Sequence, residues 1–336
     1  METLSQLGLF FGQTLIIVVA IIAIILTMAA VALKGKSHRA FEVEILNEKF
    51  DEQKEALQEL ILNEDEFKKI KKALKAAEKE KAKTPQQNAY LIDFLKGDVE
   101  ASAVDHLKEE VSTIINVAKK NEEVILRVES PGGVVHGYGL AAAQILRLRN
   151  AGLKVTVCVD KVAASGGYLM ACVAHEIIAS PFAIIGSIGV VAQVPNFNKV
   201  LKKYDVDYKE YTAGDYKRTV SLFGEITEKG EAKFREQLEA THILFKGFVG
   251  QFRPQLNLAE VATGEYWYGQ QALSLNLVDK IQTSDDYILN KMSTHQVIKI
   301  NFEKKPTLSD KLSNALSSAF KVALEKLVTK NNDYRL

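Results

Sequence analysis

An α/β domain with a largely parallel sheet is predicted for the middle of this 336-residue chain. Two observations carry the prediction. Between residues 90 and 180, short apolar runs alternate with segments of helical spacing. Three apolar runs also end in glycine-rich turns: Ser130-Pro131-Gly132-Gly133, Ala163-Ala164-Ser165-Gly166-Gly167 and Gly186-Ser187-Ile188-Gly189. Parallel strands are buried on both faces and read as continuous apolar runs, and each pair needs a crossover, usually a helix.

Residues 90–95 open the pattern as a short strand. Residues 102–119 follow as a helix, with Val104, Leu107, Val111, Ile114 and Ile115 on one face. Residues 124–128 form a strand that leads into the first glycine turn, 137–148 a helix, and 154–159 another strand. Ser165 starts a short apolar helix that runs to residue 174, and 176–179 is a strand. Residues 227–252 make a long amphipathic helix and 287–291 a short one. The stretch 173–194 is apolar enough to suggest a membrane span. His175, Glu176, Pro181, Gly186 and Gly189 break it into short pieces, which fits a buried strand–turn–strand better.

The flanks differ in character. No charged side chain occurs between Glu2 and Lys34, and 15–33 is almost wholly aliphatic. A bilayer-crossing helix needs about 20 apolar residues, so 8–33 is expected to be a transmembrane anchor. Ala30-Val31-Ala32 has the form of a signal-peptide cleavage site, but a signal peptide opens with positive charge and this segment opens with Glu2. Residues 34–88 form a charged helical stalk and linker. The core α/β domain spans 89–293, and 294–336 supplies a strand and an amphipathic helix with Leu312, Leu316, Phe320, Leu324 and Leu327 as its stripe. Lys34, Lys36 and Arg39 follow the anchor and by the positive-inside rule favour a cytoplasmic domain.

Net charge is +1, which gives no reason to expect a nucleic-acid partner. Cys158 and Cys172 are too few for a disulfide framework or a structural zinc site and read as small core residues.

Glycines at the carboxyl ends of strands let backbone amides approach a ligand, and two amides aimed at one point make an oxyanion hole. The alternative is that each is only a tight turn. Ser165 is flanked by small residues that leave its hydroxyl uncrowded, although an N-cap or close strand packing would also explain them. A serine nucleophile needs a base. His136 and His175 lie nearest the turns in sequence, but neither has an obvious orienting carboxylate. A lysine can serve if its amine is neutral, and Lys217 in Gly214-Asp215-Tyr216-Lys217 is one candidate among many lysines.

The four ordered motifs, Ser130-Pro131-Gly132-Gly133, Ala164-Ser165-Gly166-Gly167-Tyr168, Gly186-Ser187-Ile188-Gly189 and Gly214-Asp215-Tyr216-Lys217, resemble the signal peptide peptidase A family. These are membrane serine peptidases with the Clp protease/crotonase fold, a repeated ββα domain. One anchor, a charged segment and a single catalytic domain look most like the SohB-type inner-membrane group of Gram-negative bacteria. The stretch 217–225 and Ala262-Thr263-Gly264-Glu265-Tyr266-Trp267-Tyr268-Gly269 strengthen the likeness.

The resemblance implies Ser165 as nucleophile, Lys217 as general base and Ser187 as the residue that holds the lysine amine. It places the amides of Gly132 and Gly166 in the oxyanion hole, with Gly133 a near equivalent of Gly132. It further implies an acyl-enzyme without metal or cofactor, a ring-like homo-oligomer, peptide or protein substrates of hydrophobic character, and a periplasmic catalytic domain on the bacterial inner membrane. Two rivals remain: a crotonase-type enzyme acting on coenzyme A thioesters, and a non-catalytic membrane scaffold on the same fold.

Overall fold

The computed structural model describes residues 39–81 and 87–304. The expected anchor at 8–33 and the amphipathic helix expected after residue 304 lie outside them. Among the described residues no helix is long and apolar enough to cross a membrane. The chain divides into two compact units, Glu42–Asn301 and a second made of 1–41 and 302–336. In the second, the described rings of Phe41 and Phe302 are tilted by 37° with their centroids 4.6 Å apart. Apart from the outer ends of β1 and β10, the features described below lie in the larger unit.

A seven-stranded sheet forms its base. β1 (Arg39–Ile45), β2 (Gln87–Phe94), β3 (Glu123–Val128), β4 (Lys154–Val159), β6 (Glu176–Ala179), β9 (Lys280–Ile281) and β10 (His295–Lys304) run in the order β1-β10-β2-β3-β4-β6-β9. From β10 to β9 every pairing is parallel. β3 and β4 are buried over almost their whole length, as the apolar runs predict. The 173–194 stretch resolves into β6 and β7 (Ile184–Gly186), a buried strand–turn–strand. A smaller sheet joins β5 (Val162–Ala164), β7 and β8 (Tyr266–Tyr268), with β5 and β7 parallel and β8 antiparallel.

The helices follow the expected order. α1 (Leu46–Ile61) and α2 (Glu64–Lys81) form the charged segment. α3 (Val104–Val117) buries Leu107, Val111 and Ile114 completely or nearly so, each worth about 1.5–3 kcal/mol by transfer. α4 (Val135–Asn150) presents Ala141, Ala142, Ile145 and Leu148 to the core. α5 (Gly166–Ala171) follows β5, and α6 (Asn198–Lys203) lies before α7 (Glu228–Phe252). α8 (Leu258–Val261), α9 (Gly269–Ser274) and α10 (Ser284–Met292) complete the set.

Two features depart from the sequence reading. The stalk opens with β1, where Phe41, Val43 and Ile45 alternate with polar residues, a period-two signal obscured by the flanking Glu and Lys. Strands from both flanks of the expected 89–293 core, β1 and β10, join its sheet. Cys158 and Cys172 are buried and unpaired, and burial pushes both thiols up.

Charged groups tie the sheet at its amino-terminal edge and toward the carboxyl ends of β2 and β3. Glu123 accepts hydrogen bonds from Thr156 Oγ1 at 2.5 Å and Tyr287 OH at 2.6 Å, and pairs with Lys291 at 2.5 Å. Asp93 takes Arg127 in a two-bond fork at 2.7 and 2.8 Å and Lys299 at 3.1 Å. Burial alone would raise the Asp93 carboxyl, but Arg127 and Lys299 outweigh it and hold the carboxyl below its ordinary value. A carboxylate lowered in this way stabilises the fold above the ordinary carboxylate range, near pH 4, and the contribution is lost as pH falls through the folded value. Asp93→Asn is therefore expected to lower the thermal midpoint at pH 7, with the gap to wild type closing below about pH 4. A gap that stays constant from pH 7 to pH 3 would show that the ion pairs contribute nothing.

Candidate active site

The three glycine turns lie side by side because backbone bonds stitch them together. Ser130 donates its N–H to Val162 O at 2.9 Å and accepts from Ala164 N at 3.0 Å. Ala163 and Ala164 register with Ile185 and Gly186, and Ser165 N–H donates to Gly186 O at 2.8 Å. Ser187 N–H in turn reaches Glu265 O at 2.7 Å. Residues far apart in sequence thus meet at one edge of the small sheet.

Ser165 sits between β5 and α5 with φ 52° and ψ −117°, a region that L-residues rarely occupy. Its hydroxyl does not cap α5, which removes the N-cap reading. Among the described residues the hydroxyl has no hydrogen-bond partner. The small neighbours are needed for packing. A Cβ at Gly166 would lie 2.4 Å from Tyr138 Cγ, and one at Gly167 would lie 2.4 Å from Ser130 O. α5 has only six residues, so the helix dipole has little to offer here.

Gly132 has φ +89° and packs so closely that a Cβ would fall 2.6 Å from the Gly166 nitrogen. Its own amide donates to Ser130 Oγ at 3.1 Å. Among the described residues the amides of Gly133 and Gly166 have no protein acceptor. Both glycines also line the cleft that reaches Ser165, and Gly132 does not. The direction of one amide therefore favours Gly133 over Gly132, a distinction that residue types alone could not draw.

The cleft holds about 520 Å³. Ser165, Gly133 and Gly166 stand on its wall, and Val134, Leu169, Val190, Leu244 and Phe248 supply much of the rest. Among the described residues no charged side chain lines it. Such a space accepts an apolar side chain and turns away a charged one.

Ser187 has φ 49°, and its hydroxyl donates to Gly264 O at 3.3 Å. Lys217 lies on the exposed segment between α6 and α7. Tyr216 is flanked by Lys229 and Lys233 at 5.4 and 5.1 Å, and Thr219 O packs against Gly230. These contacts fix the segment on the start of α7. Among the described residues Lys217 Nζ makes no hydrogen bond or ion pair, to Ser165 and Ser187 included. The single chain thus brings Ser165, Gly166 and Ser187 together at neighbouring strand ends and leaves the Lys217 amine in water.

The histidines do not take the place of the lysine. His175 Nδ1 accepts from Val155 N at 3.0 Å at the amino-terminal end of β4, and burial, then Arg149 and Lys154, lowers its pKa. His136 is exposed. His242, which the sequence reading passed over, places Nε2 3.1 Å from Ile188 O and so braces the Ser187 loop from α7. Its α7 position gives it no sequence signal of its own.

Residues 147–298 match the model of peptidase family S49, and residues 2–145 match that of the peptidase family S49 N-terminal region. The chain belongs to peptidase family S49. S49 relatives include a probable protease SohB of Haemophilus influenzae, 48% identical over 92% of this chain and 92% of its own length. Another is a probable protease SohB of Buchnera aphidicola subsp. Schlechtendalia chinensis, 47% identical over 87% of this chain and 100% of its own. These matches make it a serine-type, SohB-type S49 peptidase. An enoyl-CoA hydratase/isomerase structure from Marinobacter aquaeolei is also similar, with a TM-score of 0.38 and 15% identity over 62% of this chain and 73% of its own.

Gly166 and Gly139 offer a paired test of the packing around Ser165. Gly139 lies in α4 with nothing within 4 Å of a notional Cβ. Gly166→Ala is expected to cost about 1–3 kcal/mol in urea unfolding, whereas Gly139→Ala is neutral or stabilising by up to about 1 kcal/mol. Equal midpoints for the two variants would refute the close packing of Tyr138 beneath the serine.

Proposed function

We propose that this S49 protein is a membrane-anchored serine endopeptidase that cleaves hydrophobic peptides through a Ser–Lys dyad and an acyl-enzyme. The observation that carries the reading is the placement of Ser165. It is held in a strained backbone conformation, its hydroxyl is unengaged, and it stands on the wall of an uncharged apolar cleft beside two unengaged amides. The order β4–β5–α5 followed by β6–β7, with first strands in the large sheet and second strands in the small one, fits the ββα repeat of the Clp protease/crotonase fold.

Ser165 Oγ attacks the scissile carbonyl carbon while its proton passes to the Lys217 amine. The carbonyl oxygen becomes an oxyanion and takes hydrogen bonds from Gly133 and Gly166 N–H, the step at which such donors contribute most. Collapse of the tetrahedral adduct breaks the C–N bond, and Lys217 returns the proton to the leaving amine. Water then repeats the cycle and releases the acid. The apolar cleft holds the side chain next to the cut bond. Signal-peptide remnants and unfolded apolar segments are substrates of this character.

The dyad is completed in a homo-oligomer. The segment that carries Lys217 exposes Tyr204, Tyr211 and Phe223 to water, with Tyr211 at 89%, and Val191 at the cleft mouth is 81% exposed. Apolar surface on this scale marks an interface. A neighbouring copy that covers it removes Lys217 from water and brings it to Ser165, with the Ser187 hydroxyl as its second partner. The anchor at 8–33 fixes the ring to the bacterial inner membrane, with the catalytic domain on the periplasmic side.

Ser165→Ala and Lys217→Ala are each expected to abolish hydrolysis of an apolar peptide, at least about 1,000-fold, with assembly unchanged by light scattering. Mixed oligomers of the two inactive variants regain part of the activity, since each copy supplies the group the other lacks. A fluorophosphonate labels wild type at Ser165. Full turnover by either variant would sink the dyad, and failure of the mixture to recover would place both groups within one copy.

A further inference from the structure

Ser130 has a buried hydroxyl that the chemistry above does not use, and it lies between the two parts of the site. Its carbonyl accepts from Ala164 N at 3.0 Å and packs against Gly167, on either side of the nucleophile. Its hydroxyl accepts from Gly132 N at 3.1 Å, in the turn that presents Gly133. Both Ser130 and Tyr138 are fully buried.

The directions of the remaining bonds follow from the chemistry of the groups. Tyr138 OH lies 2.8 Å from Asp98 O and 2.5 Å from Ser130 Oγ. A carbonyl can only accept, so the phenol proton goes to Asp98. Ser130 must then donate to Tyr138, which leaves its lone pair for Gly132 N–H. The sequence of donors runs Gly132 N–H to Ser130 O–H to Tyr138 O–H to Asp98 O, and every proton in it is used once. Burial raises the Tyr138 phenol above its ordinary value and keeps that proton in place. Asp98 O also accepts from Ala101 N at 3.1 Å, and its carboxylate takes Ser102 N at 2.8 Å, which anchors the far end to the turn before α3. Gly97 makes room for the chain: a Cβ there would lie 2.5 Å from Ser130 Oγ.

We infer that Ser130 and Tyr138 are positioning residues that hold the Gly132-Gly133 turn so that the Gly133 amide points at the oxyanion formed on Ser165. The inference rests on the peptidase reading above. Without the Ser130 acceptor, the buried Gly132 N–H is free to turn toward the cleft, and the peptide unit that orients Gly133 turns with it. Tyr138 contributes twice, since its ring also lies beneath Gly166, the second amide donor. Polar chains of this kind act as a unit, because each bond polarises the next.

The test uses the full-length protein in its native assembly with Tyr138→Phe, Ser130→Ala and the double variant. Tyr138→Phe keeps the ring under Gly166 and removes only the hydroxyl, so folding is preserved. Each variant is assayed for kcat and KM on an apolar peptide, for affinity toward a peptide aldehyde that forms a tetrahedral adduct at the serine, and for affinity toward a product peptide. The expected result is a fall in kcat of roughly 10- to 100-fold, less than the full loss of an oxyanion donor, with KM within about 3-fold. Aldehyde affinity falls by the same factor as kcat/KM, product affinity holds, and the double variant is no worse than the poorer single one. Wild-type kcat in both single variants, or an equal loss of product affinity with a lowered thermal midpoint, overturns the positioning role and leaves the peptidase reading intact. Wild-type protein that turns over no peptide and reacts with no fluorophosphonate removes the peptidase reading, and this inference with it.

Discussion

Ser165 is held in a backbone region where an L-residue costs on the order of 1–3 kcal/mol, and much of the surrounding structure serves to keep it there. Its N–H is fixed by Gly186 O and its carbonyl by Leu169 N at 2.9 Å. The preceding residue is fixed by Ser130, and the two that follow pack against Tyr138 and Ser130. Strain of this kind persists only when neighbours over-determine the conformation. Here they come from the turn after β3, from β7, from α5 and from α4, so the serine depends on elements well separated in sequence.

The sheet separates the remaining tasks by direction. Its strands run parallel, so all their amino ends lie at one edge. That edge collects charge: Glu123 begins β3, Lys154 begins β4 and Glu176 begins β6, and they pair with one another and with Lys291. The turns that follow the carboxyl ends carry glycines and an apolar cleft instead. The carboxyl ends are not free of charge, since Lys161 pairs with Glu129 at 3.0 Å beside Ser130, but among the described residues no charged side chain lines the cleft itself. The Lys217 segment belongs to neither edge, and it leaves Tyr204, Tyr211 and Phe223 exposed.

Much of this was legible from residue order. β4 and β6 fall where their apolar runs predict, and α3 and α7 lie within a few residues of theirs, because fully buried strands and long amphipathic helices leave strong periodic signals. β5, β7 and β8 are three residues each, too short for any period to register. The glycine turns were visible as turns, and their adjacency was suggested by motif order. Which amide is left without an acceptor was not, since Gly132 N–H is taken by Ser130 Oγ and Gly133 is the same residue type one position on. Tyr138 and His242 act through contacts across 8 and 54 positions of sequence, a relation no local pattern encodes. Lys217 was legible as part of a motif, but its exposure on the segment between α6 and α7 was not, since a motif does not say what surrounds a side chain.

The position of β10 bears on how the protein can be made. β2 pairs with β3 on one side and on the other with residues 295–299, roughly two hundred positions later. During synthesis the edge of β2, with Ala89 and Leu91 destined for burial, stays open until residues 295–299 have left the ribosome. Long-range closure of this sort is slow, and an uncovered apolar edge invites pairing with other chains. A nascent chain stalled before residue 295 would therefore be a sticky intermediate, because the sheet cannot close on β2 until residues 295–299 are available.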